Sequence, residues 1–272
     1  MTALLPPLLL VGCGRMGSAL LGAWLEQGLE ASVVVDPAPR RSSGIARAAI
    51  VADATGIPAA FSPASVVFAI KPQQAEAVLA QYARFAHSSV FLSIMAGRTI
   101  NGIASALGRG VASGAAIVRA MPNTPAAIRA GMTVACAGGR VSDIQKELCT
   151  RLLAAVGHVA WVNDESLLDA VTAVSGSGPA YVFLLAELLE RAAIEQGLPA
   201  DLARLLARRT ISGAGALLEA SSEDAAQLRT AVTSPGGTTE RALSVLMDAR
   251  AWPSAVSRAI AAATARSREL AR

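Results

Sequence analysis

The chain has 272 residues, of which 53% are hydrophobic, 16% charged and 4% aromatic, with a formal net charge of +4. So apolar a composition excludes a disordered chain, and scattered basic residues without a Lys/Arg run or interleaved aromatics speak against a nucleic-acid surface. Polar surface this scarce points to apolar area covered by another subunit.

"LLLVGC" at positions 8–13 resembles a lipoprotein cleavage site, but no Lys or Arg precedes it and Pro6 and Pro7 interrupt the run. The expectation is a strand instead, "LLLVG" (8–12), followed by a helix with Met16, Ala19, Leu20, Ala23 and Trp24 at helical spacing, ending at Gly28. Further β-rich runs are "SVVVD" (32–36), "SVVFAIKP" (65–72), "SVFLSIMAG" (89–97) and "AAIVRAMPN" (115–123), with helical patterns between them, one of them after position 36. Continuous apolar runs alternating with helices predict an α/β domain with a mostly parallel sheet buried on both faces. After about residue 162 the strand signals stop, and helices are expected near 164–174, 179–196, 200–219, 223–231, 239–247 and 252–270. The helix at 179–196 is apolar except for a strip formed by Glu187, Glu190, Arg191 and Glu195. Such a helix needs cover on most sides, so an all-α dimerisation domain is expected. The domains are read as 1–162 and 163–272. No apolar run approaches the roughly 20 residues that span a bilayer, and no membrane association is expected. Three cysteines, Cys13, Cys136 and Cys149, form neither a CxxC pair nor a Cys/His cluster. No metal site or disulfide frame is expected, and the reducing cytoplasm fits best.

Chemistry enters with "GCGRMG", where Gly12, Gly14 and Gly17 stand as G-x-G-x-x-G between strand and helix. The first glycine permits a tight turn, the second admits a pyrophosphate to the backbone, and the third lets helix and strand pack closely. The phosphates then meet free N–H groups at the positive end of the helix. Asp36, at the end of the second strand, can accept hydrogen bonds from an adenosine ribose, which suits NAD. Arg40 and Arg41 lie within reach of the same place and suit a 2′-phosphate; the coenzyme preference stays open. "AIKPQ" (69–73), "SIMAG" and "MPNTP" (121–125) fall at carboxyl ends of strands, where ligands collect in parallel sheets. "MPNTP" is either a stiff turn or a seat for the nicotinamide end, and "SGSGPAY" (175–181) permits close backbone approach by a ligand or by another helix. "TSPGGTTERAL" (233–243) breaks the helical half. A Pro-Gly-Gly turn feeding a helix is expected to leave the N–H groups of Gly237, Thr238 and Thr239 unpaired for a carboxylate, with capping by Thr238 as a compatible use.

These segments, with "RAMPNTP" and "LRTAVTSPGGTTERALSVL" in the same order, closely resemble pyrroline-5-carboxylate reductase over essentially the whole chain. The stretch from Leu228 to Leu246 is the most specific. The resemblance implies NAD(P)H-dependent reduction of 1-pyrroline-5-carboxylate to L-proline. It implies a Rossmann domain and a helical domain that interlocks with a partner's, hence a homo-oligomer, at least a dimer, with a decamer as a larger assembly and the substrate pocket at the dimer interface. The implied coenzyme contacts (NADP or NAD) are Gly12, Cys13, Gly14, Arg15, Met16 and Gly17, then Asp36, Pro37, Ala69, Ile70, Lys71, Pro72, Ala96, Met121, Pro122 and Asn123. The implied substrate contacts are Glu165, Ser234, Gly236, Gly237, Thr238 and Thr239, with the Thr239 hydroxyl on the imine nitrogen as the catalytic group. This chain departs from many relatives at Thr230, Ala231 and Asp36.

The only lysines are Lys71 and Lys146, so the helical half has none, and it has no histidine. Dehydrogenases of similar layout acting on 3-hydroxy acids rely on a lysine there. A cyclic imine is an easier acceptor, because its nitrogen takes a proton from solvent or a weak donor. Positioning can contribute as much as about 7–11 kcal/mol. A related imine or hydroxyacid oxidoreductase and a catalytically silent dinucleotide sensor are the alternatives.

Overall fold

Leu8–Val11 form strand β1, and all four side chains are buried. Side chains alternate across a strand, so Leu8 and Leu10 enter one core while Leu9 and Val11 enter another. A strand sandwiched in this way needs no polar face. The computed structural model describes residues 4–38, 48–108, 110 and 114–271. Within them β1 is joined by β2 (Ser32–Val35), β3 (Ala48–Val51), β4 (Ser65–Phe68), β5 (Val90–Ser93), β6 (Ala116–Met121), β7 (Gly131–Ala137) and β8 (Gly157–Val162). They make one sheet in the order β3-β2-β1-β4-β5-β6-β7-β8, parallel except between β6 and β7. The chain adds strands outward to β3, then returns to the other side of β1 for β4. That reversal opens a crevice at the carboxyl ends of β1 and β4, the place where open parallel sheets bind ligands.

Helix α1 (Arg15–Glu26) covers one face with Leu20, Leu21 and Trp24. The other face carries α2 (Ala75–Val78), the tight turn Leu79–Phe85 and α3 (Ile100–Leu107), which bring Leu79, Tyr82 and Ile103 against the sheet. There Phe68 stacks on Phe91 with centroids 5.6 Å apart, and Tyr82 meets Phe68 edge-on at 5.7 Å. α4 (Asp143–Ala154) starts with a capping box, Ser142 and Gln145 satisfying each other's backbone N–H, and lies beside α1. The buried Trp24 indole N–H donates to Leu152 O at 2.7 Å, which removes an otherwise costly orphan donor.

Three strands go beyond the five runs read from the sequence. β3 falls in the interval after position 36 taken as helical; residues 39–47 of that interval, with Arg40 and Arg41, lie outside the described residues. Its "AAIV" is short and Ala-containing, and only pairing with β2 makes it a strand. β7 and β8 are richer in Ala and Gly and less evenly buried, so their local signal is weak.

The chain divides into two compact units, Met1–Gly176 with Ala263–Arg272, and Ser177–Ala262. α5 (Leu167–Val171) and a π-helical turn, Thr172–Gly176, belong to the first. The end of the last helix also belongs there: Ser267 Oγ donates to Asp169 Oδ1 at 2.6 Å, and Leu270 packs on the left-handed Gly97.

The second unit holds α6 (Gly178–Glu195), α7 (Ala200–Ala220), α8 (Ala225–Ala231), α9 (Thr238–Leu246) and most of α10 (Trp252–Leu270). Pro179 opens α6, where its missing N–H is harmless, and Gly197, with φ of 92°, takes the left-handed position after its end. Among the described residues of this unit only Ala203 and Ala207 are buried, while Phe183, Leu184, Leu205, Leu206, Leu217 and Leu218 are exposed. The helical run Leu167–Glu195, 29 residues, is long and apolar enough to cross a membrane. This corrects the expectation that no stretch approaches that length: isolated charges interrupt each apolar run along the chain without making the helix polar. Such a surface calls for a covering, by lipid or by protein.

Candidate active site

The turn from β1 into α1 is built on glycine. Gly12 has φ of 92°, and a Cβ there would come within 2.7 Å of Ala69 O and 2.9 Å of the Ile70 side chain. Glycine therefore lets the "AIKPQ" segment lie against the turn. A Cβ on Gly17 would fall 2.2 Å from Gly12 O, so the third glycine sets how closely α1 meets the turn. Gly14 differs, because a Cβ there meets nothing within 4 Å. Its face is open at the start of α1, where no side chain caps the helix and no acidic residue occupies the first turn. Among the described residues, the N–H groups of Arg15 and Met16 have no partner. Open space, free donors and the helix dipole together fit a dinucleotide pyrophosphate.

Asp36 reaches back to this turn. Its Oδ2 accepts the Cys13 N–H at 2.6 Å and its Oδ1 accepts the Ala38 N–H at 2.8 Å. Each carboxylate oxygen can accept a second bond, so a ribose hydroxyl remains compatible. Burial, and after it the Asp36 charge, pushes the Cys13 thiol up from its ordinary value, which keeps the side chain a thiol rather than a thiolate.

Pro72 opens a tight turn after Lys71, and its carbonyl accepts Arg98 Nε at 3.0 Å while Arg98 Nη1 pairs with Glu76 at 2.8 Å. Arg98, which carries no motif, thereby ties the β5 loop containing Ala96 to the β4 loop. Met121 ends β6, and its side chain lies against Gly176, where a Cβ would come within 2.5 Å of Cε. Pro122 leads to Asn123, whose amide Nδ2 donates to Ser175 O at 3.2 Å and Oγ at 3.3 Å, while Oδ1 accepts the Met132 N–H at 2.9 Å. The Asn123 side chain thus braces "MPNTP" against Ser175 and against the start of β7. Glu165 stands in the same unit, with Oε1 accepting the Ile100 N–H at 2.8 Å and Arg119 Nη1 at 3.0 Å.

The helical unit carries the second half of the candidate set. Gly236 has φ of 70°, a conformation that disfavours any side chain, and Gly237 is the N-cap of α9 without a side-chain cap. One expectation changes here. The Gly237 N–H is not free: it closes the turn onto Ser234 O at 3.0 Å. The Gly236 N–H is taken by Glu240 Oε2 at 2.7 Å. Among the described residues, the N–H groups of Thr238, Thr239 and Glu240 at the start of α9 are left without partners. The turn needs its own hydrogen bond to hold the Pro-Gly-Gly bend, so the free donors begin one residue later than expected.

Comparison with known proteins adds to this geometry. Residues 165–270 match a model described as pyrroline-5-carboxylate reductase dimerisation, and residues 8–97 match one described as NADP oxidoreductase, coenzyme F420-dependent. Pyrroline-5-carboxylate reductase of Pseudomonas aeruginosa is 37% identical over 270 residues, covering 98% of this chain and 97% of that protein. The chain belongs to the pyrroline-5-carboxylate reductase family. The solved reductase of Coxiella burnetii superposes with a TM-score of 0.86 at 32% identity, covering all of both chains. That of Plasmodium falciparum, determined with NADP bound, does so at 0.82 and 27% identity over 98% of each. The activity is NAD(P)H-dependent reduction of 1-pyrroline-5-carboxylate in proline biosynthesis, with NADP and NAD as the cofactors. The match over 165–270, to a model described as a dimerisation domain, spans the apolar helical run.

Proposed function

We propose that the pyrophosphate of the coenzyme is held by Gly12, Cys13, Gly14, Arg15, Met16 and Gly17. Asp36 and Pro37 take the adenosine ribose, and Ala69, Ile70, Lys71, Pro72, Ala96, Met121, Pro122 and Asn123 line its remaining length. The free N–H groups at the start of α1 and the open face of Gly14 support this seat. When bound, the reduced coenzyme supplies the hydride. The substrate carboxylate is taken by the Thr238 and Thr239 N–H groups, in a turn shaped by Ser234, Gly236 and Gly237. The Thr239 hydroxyl hydrogen-bonds the imine nitrogen, and Glu165 stands near the ring. The observation that carries this reading is the run of free donors, Thr238 and Thr239 first, at the N-terminus of a nine-residue helix, behind a glycine with positive φ. A negative group is stabilised there by both the N–H groups and the dipole.

Thr239→Ala tests it. The variant is expected to lower kcat about 10-fold, the effect of losing one hydrogen bond worth about 1.5 kcal/mol in the transition state, with coenzyme affinity unchanged. Steady-state kinetics with pyrroline-5-carboxylate give the answer, and an unaltered kcat removes the hydroxyl from the mechanism. For the coenzyme, Asp36→Ala is expected to weaken NADH more than NADPH. A shift of ~10-fold in the ratio of kcat/KM values corresponds to about 1.4 kcal/mol. Both coenzymes should also lose some affinity, because Asp36 holds the Cys13 N–H. An unchanged ratio would limit Asp36 to supporting the turn.

The enzyme is further read as a cytoplasmic homodimer, with a decamer of such dimers as the larger assembly. The dimer is supported by the match to a dimerisation model and the exposed apolar faces of α6 and α7. The compartment is supported by three buried free thiols, which suit a reducing medium. The decamer rests on the family resemblance.

A further inference from the structure

We infer that Arg119 is a positioning residue for imine reduction, acting through Glu165. It sits in β6 with 4% of its surface exposed, a burial that a guanidinium tolerates only beside a counter-charge. Glu165 is the one ion-pair partner among the described residues, through Nη1 at 3.0 Å. Both this bond and the one from the Ile100 N–H at 2.8 Å end on the same oxygen, Oε1. Two donors converging from β6 and from the first turn of α3 fix the rotation of the carboxylate. Oε2 has no partner among the described residues, and 27% of the Glu165 side chain is exposed.

One oxygen anchored and one presented is what orienting a small cationic ring requires. A carboxylate beside the ring favours the protonated imine, the better hydride acceptor, through its charge, while the single N–H of that imine stays with the Thr239 hydroxyl. Without Arg119 the carboxylate is held by a single backbone N–H and can turn away. Sequence spacing cannot reveal the pair, because its members are 46 residues apart and neither lies in a recognised motif with the other. The inference rests on the reading that Glu165 stands near the substrate ring.

The test is a double-mutant cycle on the full-length enzyme with pyrroline-5-carboxylate and NADPH, comparing Arg119→Met, Glu165→Gln and the pair. Each single variant is expected to lower kcat/KM for the imine by ~10-fold or more, the scale of one charge-assisted hydrogen bond, while the Kd of NADPH stays unchanged. The pair should be no worse than Glu165→Gln alone, since a residue acting through another has nothing left to position. Its thermal midpoint should recover relative to Glu165→Gln, in which Arg119 is left buried without its counter-charge, yet its activity should not. Arg119→Lys, which restores a donor, should regain part of the activity, and it replaces Arg119→Met in the cycle if that variant fails to fold. Wild-type kinetics for Glu165→Gln would overturn the placement of Glu165 and this inference with it. An impaired Glu165→Gln together with a neutral Arg119→Met, or with additive losses, would overturn the role of Arg119 alone, as would activity that simply follows the thermal midpoint.

Discussion

Gly17→Ala is expected to weaken NADPH binding by ~100-fold or more, about 2.7 kcal/mol. The added methyl would lie 2.2 Å from Gly12 O and 3.3 Å from Ala69 Cβ. The nearer obstacle is a backbone carbonyl, which cannot swing aside as the end of a flexible side chain can. α1 must withdraw from the turn, and the free N–H groups of Arg15 and Met16 withdraw with it. Hydrogen bonds to a charged acceptor contribute roughly 1.5–3 kcal/mol each, so two weakened donors account for the loss. Gly22→Ala is the control. It lies in the same helix with nothing within 4 Å of its added Cβ, and should bind as the wild type does. Fluorescence titration separates the two, with the thermal midpoint of the apoenzyme checking that Gly17→Ala still folds. Wild-type affinity in Gly17→Ala would remove this turn from the pyrophosphate seat.

What could be read from the chain alone follows how local each signal is. β1 declares itself because Leu8–Val11 are apolar on both faces, and the glycine spacing behind it fixes the turn. The helices after residue 162 are visible for the same reason: Pro179 and Gly197 punctuate them, and their apolar content is high. β3 was hidden because "AAIV" has no decisive propensity of its own and becomes a strand only by pairing with β2. The hydrogen bonds within the Ser234–Gly237 turn were equally hidden. A glycine pattern announces that a turn exists without saying which N–H closes it and which stays free. Asn123 shows the limit most plainly. Its place in "MPNTP" marks a stiff turn or a ligand seat, and nothing there announces that the side chain also binds Ser175, 52 residues away. Such braces depend on topology and have no signature along the sequence.

The second large effect concerns the helical unit. Phe183→Asp is expected to dissociate the proposed homodimer and abolish activity at assay dilution. The unit buries only Ala203 and Ala207 among its described residues, too little to offset the ordering of its helices. Phe183 is 66% exposed, and Val182, Leu205 and Ile194 line the same groove between α6 and α7. Covering a phenylalanine contributes about 1.5–3 kcal/mol, and a twofold interface presents each substitution twice. Adding the desolvation of two carboxylates makes a loss of at least ~4 kcal/mol, or roughly a thousandfold in Kd, the expected scale. Sedimentation velocity across a concentration series should show the wild type as a dimer or larger assembly at the lowest concentration measured, and the variant as a monomer. Val245→Asp, on α9 and outside that groove, tests whether any charge added to this unit has the same result; it should leave the dimer intact. A Phe183→Asp enzyme that sediments and turns over like the wild type would mean that this face is not where the two copies meet.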